Sequence, residues 1–259
     1  PSAEVAQLQT QLNAISDQIS LLSDIIEHQE TLERNDSNAR KISAVEDRIT
    51  VLAKQQVEVT QAAEQKYSVP IRPTNANLGT TALRASEIFP KVPYYIPGTA
   101  QTGEFWVEPR ITDEGRLIYN FKFLDPDAVL ATVVEAIQMT PPDVNKTIAG
   151  LAKVDEWTLL AQEKNIRRRF EKSAICFPAS DCEEKVVGNS STEVVFLTYE
   201  DGSTAGQIRR NKGPSSAGYN LSNEAALLLS AYLEYIVDVG SKEFSATTMT
   251  DEDLSEIFQ

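Results

Sequence analysis

Acid–base catalysis near neutral pH relies most often on histidine, and this chain has almost none. One residue of 259 is histidine, His28, and no Cys or His stands at ligand spacing around it. His-dependent triads, Cys–His dyads and most zinc sites are therefore excluded from the rest of the chain. Carboxylates are the remaining kit. Glu104 and Glu108 share one stretch of alternating residues and project from the same face of a strand. Asp125 and Asp127 flank Pro126. The sequence holds 38 Asp+Glu against 24 Lys+Arg, a formal net charge of −14, so such pairs also read as ordinary surface. Asp181, Glu183 and Glu184, and again Asp251, Glu252 and Asp253, are suited to hard cations but lack the spacing of a known calcium loop. Phosphate loops, dinucleotide fingerprints, nucleophile elbows and zincin helices are absent from the sequence. Asp201-Gly202-Ser203 reads as a hairpin turn. The expectation is a protein without catalytic residues, metal or cofactor, with a carboxylate-dependent hydrolase as the alternative.

Two basic clusters interrupt the acidity: Arg167-Arg168-Arg169 with Lys172, and Arg209-Arg210 with Lys212. Together with Trp106, Arg167, Arg168, Arg169, Arg209 and Arg210 form a candidate partner patch. The competing reading is a solvated helix face and a charge row along an edge strand. Nucleic acid is not expected as a partner, because the chain is acidic and no stacking aromatics are interleaved with the arginines.

Cys176 and Cys182 are the only two cysteines, in the turn-forming stretch ICFPASDCEE. In an oxidising compartment they close a small loop, contributing about 2.4 kcal/mol by the chain-entropy estimate. The alternative is two free thiols in a cytosolic loop. The first reading places the protein outside the cytoplasm: periplasmic, secreted or on the surface. The most apolar run, residues 225–240, contains Glu234 and Asp238 and is too short to span a bilayer. Membrane contact is expected only through an anchor ahead of Pro1.

The elements that would position these residues fall into four segments: 1–66, 67–103, 104–250 and 251–259. In the first, Val5, Leu8, Leu12, Ile15, Ile19, Leu22 and Ile26 alternate spacings of three and four, an a/d heptad seam. A second seam, Ile42, Val45, Ile49, Leu52 and Val59 (with Gln56 in register), is out of phase with the first. Arg34-Asn35-Asp36-Ser37-Asn38 lies between them and favours turns and caps. This predicts an antiparallel helical hairpin turning near Asn35–Asn38, capped by Asp36 or Ser37; the rival is one long parallel coiled coil. A two-helix seam this thin is poorly buried alone, so a second copy or another protein is expected to cover residues 3–66.

Five prolines within residues 70–97 mark 67–103 as a connector. The head, 104–250, opens with a hairpin whose five-residue loop pairs Ile111 with Leu117 and puts Phe105, Val107, Phe121 and Phe123 on one face. A helix is expected from Pro141 to about 172, with Leu159, Ile166 and Phe170 as its core stripe. A second hairpin turns on Asp201-Gly202 and sets Val195 opposite Ile208 and Glu193 opposite Arg210. A buried helix capped by Asn220–Ser222 follows, built on Leu227, Leu228, Leu229, Tyr232, Leu233, Ile236 and Val237. Residues 251–259 are an acidic tail. The fold class is α+β: an N-terminal coiled-coil hairpin (or long coiled coil), then an antiparallel sheet with helices. Function follows as non-enzymatic assembly. The arms oligomerise or dock and the head binds a partner; a membrane-active helical hairpin is a further alternative.

Overall fold

The computed structural model describes residues 3–74, 89–124, 133–179, 182 and 190–247. Their elements run α1 (Ala3–Thr31), α2 (Asp36–Tyr67), β1 (Val92–Tyr95), β2 (Thr102–Ile111), β3 (Leu117–Leu124), β4 (Val133–Met139), α3 (Pro141–Glu163), β5 (Phe170–Phe177), β6 (Ser190–Thr198), β7 (Thr204–Lys212), β8 (Ser215–Leu221) and α4 (Asn223–Thr247). The class is α+β: four helices against one curled antiparallel sheet of eight strands, in the order β4-β3-β2-β1-β8-β7-β6-β5.

The α1–α2 turn is made by asparagines. Asn35 caps α2, its Oδ1 accepting from the Asn38 N–H at 2.9 Å, and the Asn38 side chain donates back to the Glu33 carbonyl. Neither Asp36 nor Ser37 is the cap; both lie inside the first turn of α2. The helices run antiparallel. Gln9 near the start of α1 donates to the Arg72 carbonyl just beyond α2 at 2.7 Å, and Asn13 accepts from the Thr74 N–H. Ser68, in the left-handed conformation (φ 53°), ends α2 by donating to Glu64 and turns the chain back along α1.

Most of the apolar stripe of this helix pair is covered within the chain. Val5, Leu12, Ile15, Leu22, Val45, Leu52 and Val59 are buried, and Leu8, Ile19, Ile26 and Ile49 pack against them half-buried. Ile42 is half-exposed and stands outside the cluster. The stripe widens in the second half of α1 to take in Gln18, Ile25 and Gln29. An a/d seam serves one neighbour, whereas here α4 is a third helix packed on both arms. At the far end, Ile71 of the returning segment is buried in the same cluster.

In the head, the first hairpin has the expected register: Ile111 faces Leu117, Pro109 faces Tyr119, Val107 faces Phe121 and Phe105 faces Phe123. Strands β1, β4, β5 and β8 bring the sheet from the four expected strands to eight. β1 lies in the stretch read as connector, yet it pairs with β2 and β8 in the middle of the sheet. α3 stops at Glu163 rather than near residue 172, because Asn165 takes the left-handed conformation (φ 49°) and the chain re-enters the sheet as β5. Leu159 and Phe170, expected in the core, are 42% exposed each. Asn220 belongs to β8, and the cap of α4 is Ser222, whose Oγ accepts from the Ala225 N–H.

The sheet curls strongly. Phe123 of β3 stacks on Tyr219 of β8 with ring centroids 3.8 Å apart, although β2 and β1 lie between them. Three strand spacings on a flat sheet would span about 14 Å. Tyr94 of β1 lies across β2 to donate to the Leu124 carbonyl, and Gly103 makes the crossing possible. A Cβ there would stand 2.5 Å from the Tyr94 ring. α3 and α4 fill the inner face. α3 approaches the sheet so closely that a Cβ on Gly150 would meet Ile175 at 2.6 Å, and Tyr232 of α4 donates to the Val107 carbonyl.

Candidate functional site: a groove on the outer face of the sheet

Strands β5 to β8 and β1 present to α3 and α4 the face that carries Val194, Phe196, Gly206 and Ile208. The opposite face carries Val195, Leu197, Ala205, Gln207, Arg209, Asn220 and Tyr95. The assignment follows from the ladders, in which Val195 faces Gln207, Gln207 faces Asn220 and Asn220 faces Tyr95. A groove of about 1000 Å³ opens over this second face, bounded by Ile96 and Pro97 at one side and Arg169 and Phe170 at the other.

Its floor is a chain of side-chain hydrogen bonds that crosses the strands. Arg209 Nε donates to Gln207 Oε1 at 2.7 Å, and Gln207 Nε2 donates to Asn220 Oδ1 at 2.6 Å. Asn220 Nδ2 then donates to the Tyr199 hydroxyl at 3.0 Å, and Tyr199 bonds in turn to Tyr95. Gln207 and Asn220 are buried, so each bond replaces one to water, and a lost partner would leave a costly orphan. Gly218 makes room for this chain: a Cβ there would stand 2.6 Å from Gln207 Nε2. Burial pushes the Tyr199 phenol well above its ordinary pKa, its hydrogen bond to Tyr95 pushes the same way, and Arg169 opposes them. A small apolar cluster of Val195, Leu197 and Ala205, with Tyr95 and Tyr199 packed on it, completes the floor.

The charges at the Arg209 end are mutually satisfied. Its guanidinium holds Glu171 through both nitrogens, at 3.1 and 3.3 Å, and lies 3.6 Å from Glu193. Such a fork orients and grips but leaves no carboxylate at liberty to take or give a proton. The other carboxylate pair is likewise committed: Glu104 accepts from Arg48 of α2 at 2.9 Å, and Glu108 is held by Lys122. Asp125, Asp127, Asp181, Glu183, Glu184 and the acidic tail at 251–259 lie outside the described residues. Among the described residues no three His, Cys, Asp or Glu side chains are grouped to hold a metal ion.

The residues singled out from sequence are scattered. Arg209 and Arg169 come to the groove. Arg168 stands over the Phe170 ring at 5.9 Å, Arg167 Nε donates to Asn165, and Arg210 donates to Thr192 on the helix-covered side. Trp106 is 4% exposed with the Lys91 ammonium over its ring at 4.0 Å, so it is covered and not presented to a partner. Cys176 and Cys182 lie at disulfide distance, Cα atoms 6.0 Å apart, beside a cis Phe177–Pro178 bond. That is compatible with an extracytoplasmic location. No described helix is long and apolar enough to cross a membrane.

Gln207, Asn220, Tyr199 and Tyr95 escape the sequence reading for one reason. Read as a two-residue turn, Asp201-Gly202 places Val195 opposite Ile208 and Glu193 opposite Arg210. In fact Tyr199 N–H bonds to Ser203, Gly202 N–H bonds back to Tyr199, and Gly202 takes a positive φ of 89°. That is a type I turn on Glu200-Asp201 followed by a left-handed glycine. The register moves by one: Glu193 faces Arg209 and Val194 faces Ile208. A one-residue slip exchanges the faces of a strand, and it brings Gln207 and Arg209 to the same side as Val195, Leu197 and Tyr199. The signal available was the parity of Gln207 and Arg209.

Comparison with known proteins gives no matching family model, curated relative or solved structure.

Proposed function

We propose that this is a non-enzymatic assembly protein. Its head binds a partner in the outer-face groove, and its α1–α2 pair, an antiparallel two-stranded coiled coil, is the arm through which the complex is held. The observation that carries this reading is the locked floor of the groove. Glu171 and Glu193 share Arg209, and Arg209, Gln207, Asn220, Tyr199 and Tyr95 are bonded in series. A surface whose polar groups are fixed in advance loses little entropy on binding and has no free nucleophile–base pair. The hydrolase alternative has less support, since Glu104 and Glu108 each have a cation of their own. A membrane-active hairpin would need an apolar tip, and here the tip is polar and tied to α3 by Arg40, 2.6 Å from Asp155. With the seam buried inside the chain, docking through the arm's outer face has more support than self-association through the seam. An extracytoplasmic site of action fits the cysteine pair.

The test is site-specific photo-crosslinking in extract of the native source. A photoreactive residue replacing Ser216, exposed in the groove, should capture one partner saturably and be competed by unlabelled protein. The same residue replacing Glu30, exposed on α1, should not capture that species. Equal capture at both positions, or none at Ser216, refutes the reading.

A further inference from the structure

We infer that β5, the last strand of the sheet, takes an added strand from a partner: an extended acidic peptide that pairs antiparallel along its outer edge. The inference goes beyond the groove and does not depend on it. Three observations carry it. First, the edge is open. β5 ends the strand order, and Phe170, Glu171, Lys172 and Ser173 are exposed one after another. The direction of the ladder bonds follows by alternation. Tyr199 of β6 bonds to Ser203 of β7, so Thr198 and Phe196 turn their main-chain groups to β5, where they face Phe170 and Lys172. Glu171 therefore points its N–H and C=O out of the sheet, and Ser173 points its N–H the same way. Among the described residues nothing bonds to these groups. Such a row is a template for a further strand. The bulge after Ser173 confines it to the stretch around Glu171.

Second, apolar surface stands beside this edge. The ladder puts Phe170 and Lys172 on the helix side of the sheet, with Thr198 and Phe196. Phe170 is nevertheless 42% exposed, and Leu160 of α3 is 47% exposed. Leu160 belongs to the helical stripe Lys153, Trp157, Leu160, whose first two members reach the Ala174 carbonyl and the Lys172 ammonium of β5. A residue set opposite Phe170 on an added strand projects to this same side, where an apolar one takes Phe170 out of water. Third, the edge is positive on a chain of net charge −14. Arg168 and Lys172 flank Phe170 on the helix side, and Arg169 stands on the groove side. None of the three forms an ion pair with a described residue. With the neighbouring fork included, Arg168, Arg169, Lys172 and Arg209 stand against Glu171 and Glu193, four positive groups to two negative. Arg167 and Asp201, close enough to interact, add one of each. An acidic strand meets this charge, and a second copy of β5 does not. Centred on Phe170, two antiparallel copies set Arg168 against Lys172; centred on Glu171 or Lys172, they set that residue against itself.

The experiment uses the full chain and fluorescence anisotropy. The labelled probe is the peptide Thr-Glu-Thr-Val-Glu-Glu-Thr. Paired antiparallel, it sets Val opposite Phe170, its middle threonine opposite Glu171, and its glutamates opposite Lys172, Arg169 and Arg168. N-methylation of the middle threonine removes the donor to the Glu171 carbonyl and should weaken binding at least about fivefold. N-methylation of the Val, whose N–H points away from β5, should weaken it far less. The same peptide with Gln for Glu should bind at least about tenfold more weakly, and salt should weaken the acidic form alone. Arg168→Gln with Lys172→Gln should remove most of that preference, Phe170→Ser should weaken the acidic peptide about fivefold, and Arg116→Gln, on the exposed first hairpin, should change nothing. The peptide series reads the edge on the unaltered protein, so a variant that fails to fold leaves the test intact. Equal weakening by the two N-methyl groups, equal binding of the Glu and Gln peptides, or a folded Phe170→Ser protein that binds as the parent does overturns the inference. So does a sedimenting dimer that Phe170→Ser dissociates, which makes the occupant a second copy. The Ser216 crosslink reads the groove alone, and its failure leaves the edge standing.

Discussion

Replacing Glu234 by Leu should uncouple the helical arm from the head, at a cost that can be worked from the contacts. Glu234 sits on α4 and receives the Lys41 ammonium of α2 at 2.5 Å and the Gln29 amide of α1 at 2.7 Å. The Lys41 side chain is 8% exposed and that of Glu234 is 19%. Without the carboxylate, a buried ammonium has no counter-ion and a buried amide donor has no acceptor. Breaking a buried pair from one side costs about 3–5 kcal/mol, and the residual access of water at Glu234 favours the lower end, about 3 kcal/mol. Lys41→Met leaves a carboxylate that keeps Gln29 and some water, so about 1 kcal/mol is expected. The double variant leaves no orphan charge and should lie within about 1 kcal/mol of the parent. The cycle then shows a coupling of about 3 kcal/mol, at the upper end for contacting residues. Urea unfolding followed by far-UV circular dichroism measures each term, provided the slope with denaturant is unchanged. A loss below about 1 kcal/mol for Glu234→Leu, or a double variant equal to the sum of the singles, would refute the view that this pair joins arm to head.

Two other outcomes are expected. Burial holds the phenol of Tyr119 up to about 12 and pushes those of Tyr199 and Tyr232 up as well. A pKa raised in the folded state gives stability that is complete below about pH 10, the unfolded value, and is lost as pH rises through the folded value. Ultraviolet titration should show these tyrosines ionising only with unfolding, near pH 12, and Tyr119→Phe should make the alkaline loss shallower. Among the described residues the buried Tyr119 hydroxyl has no hydrogen-bond partner, so the same substitution should change stability at pH 7 by no more than about 1 kcal/mol; a larger loss counts against the assignment. Gly150→Ala places a methyl 2.6 Å from Ile175 and 2.9 Å from Val194. It should cost about 1–3 kcal/mol by overpacking despite the better helix propensity of Ala, and a stabilised Gly150→Ala protein would show that α3 is less tightly seated.

What the sequence makes legible follows from how local each signal is. The α1–α2 turn and the first hairpin register are set within a few residues, by Asn35–Asn38 and by Thr112–Gly115, and both are readable. Phe170 shows the opposite case. Its helical spacing from Leu159 and Ile166 is real, but the left-handed Asn165 breaks the helix before the stripe can matter. β8 is hard to see because SSAGYNL has little β-branched or apolar content; it pairs with β7 across a two-residue turn, but its other neighbour, β1, lies far away in the chain. The groove depends on one glycine. Whether Gly202 is the second residue of a two-residue turn or the third of a longer one decides which face Gln207 and Arg209 occupy, and both turns are written with the same letters. Arg169 was legible as a cation in a cluster, though not as one that lines the groove beside Tyr199.

The apolar cluster that begins at Val5 in the arm continues without a break through Leu52 to Leu233 and Ile236 of α4. Arm and head are therefore not two articles on a string. Excising the first sixty-odd residues would strip the roof from α4 and leave a greasy, charge-orphaned helix facing water, so neither part can be traded between proteins as a ready-made cassette. Force applied along the rods would reach α4 through Glu234, which takes both Lys41 and Gln29.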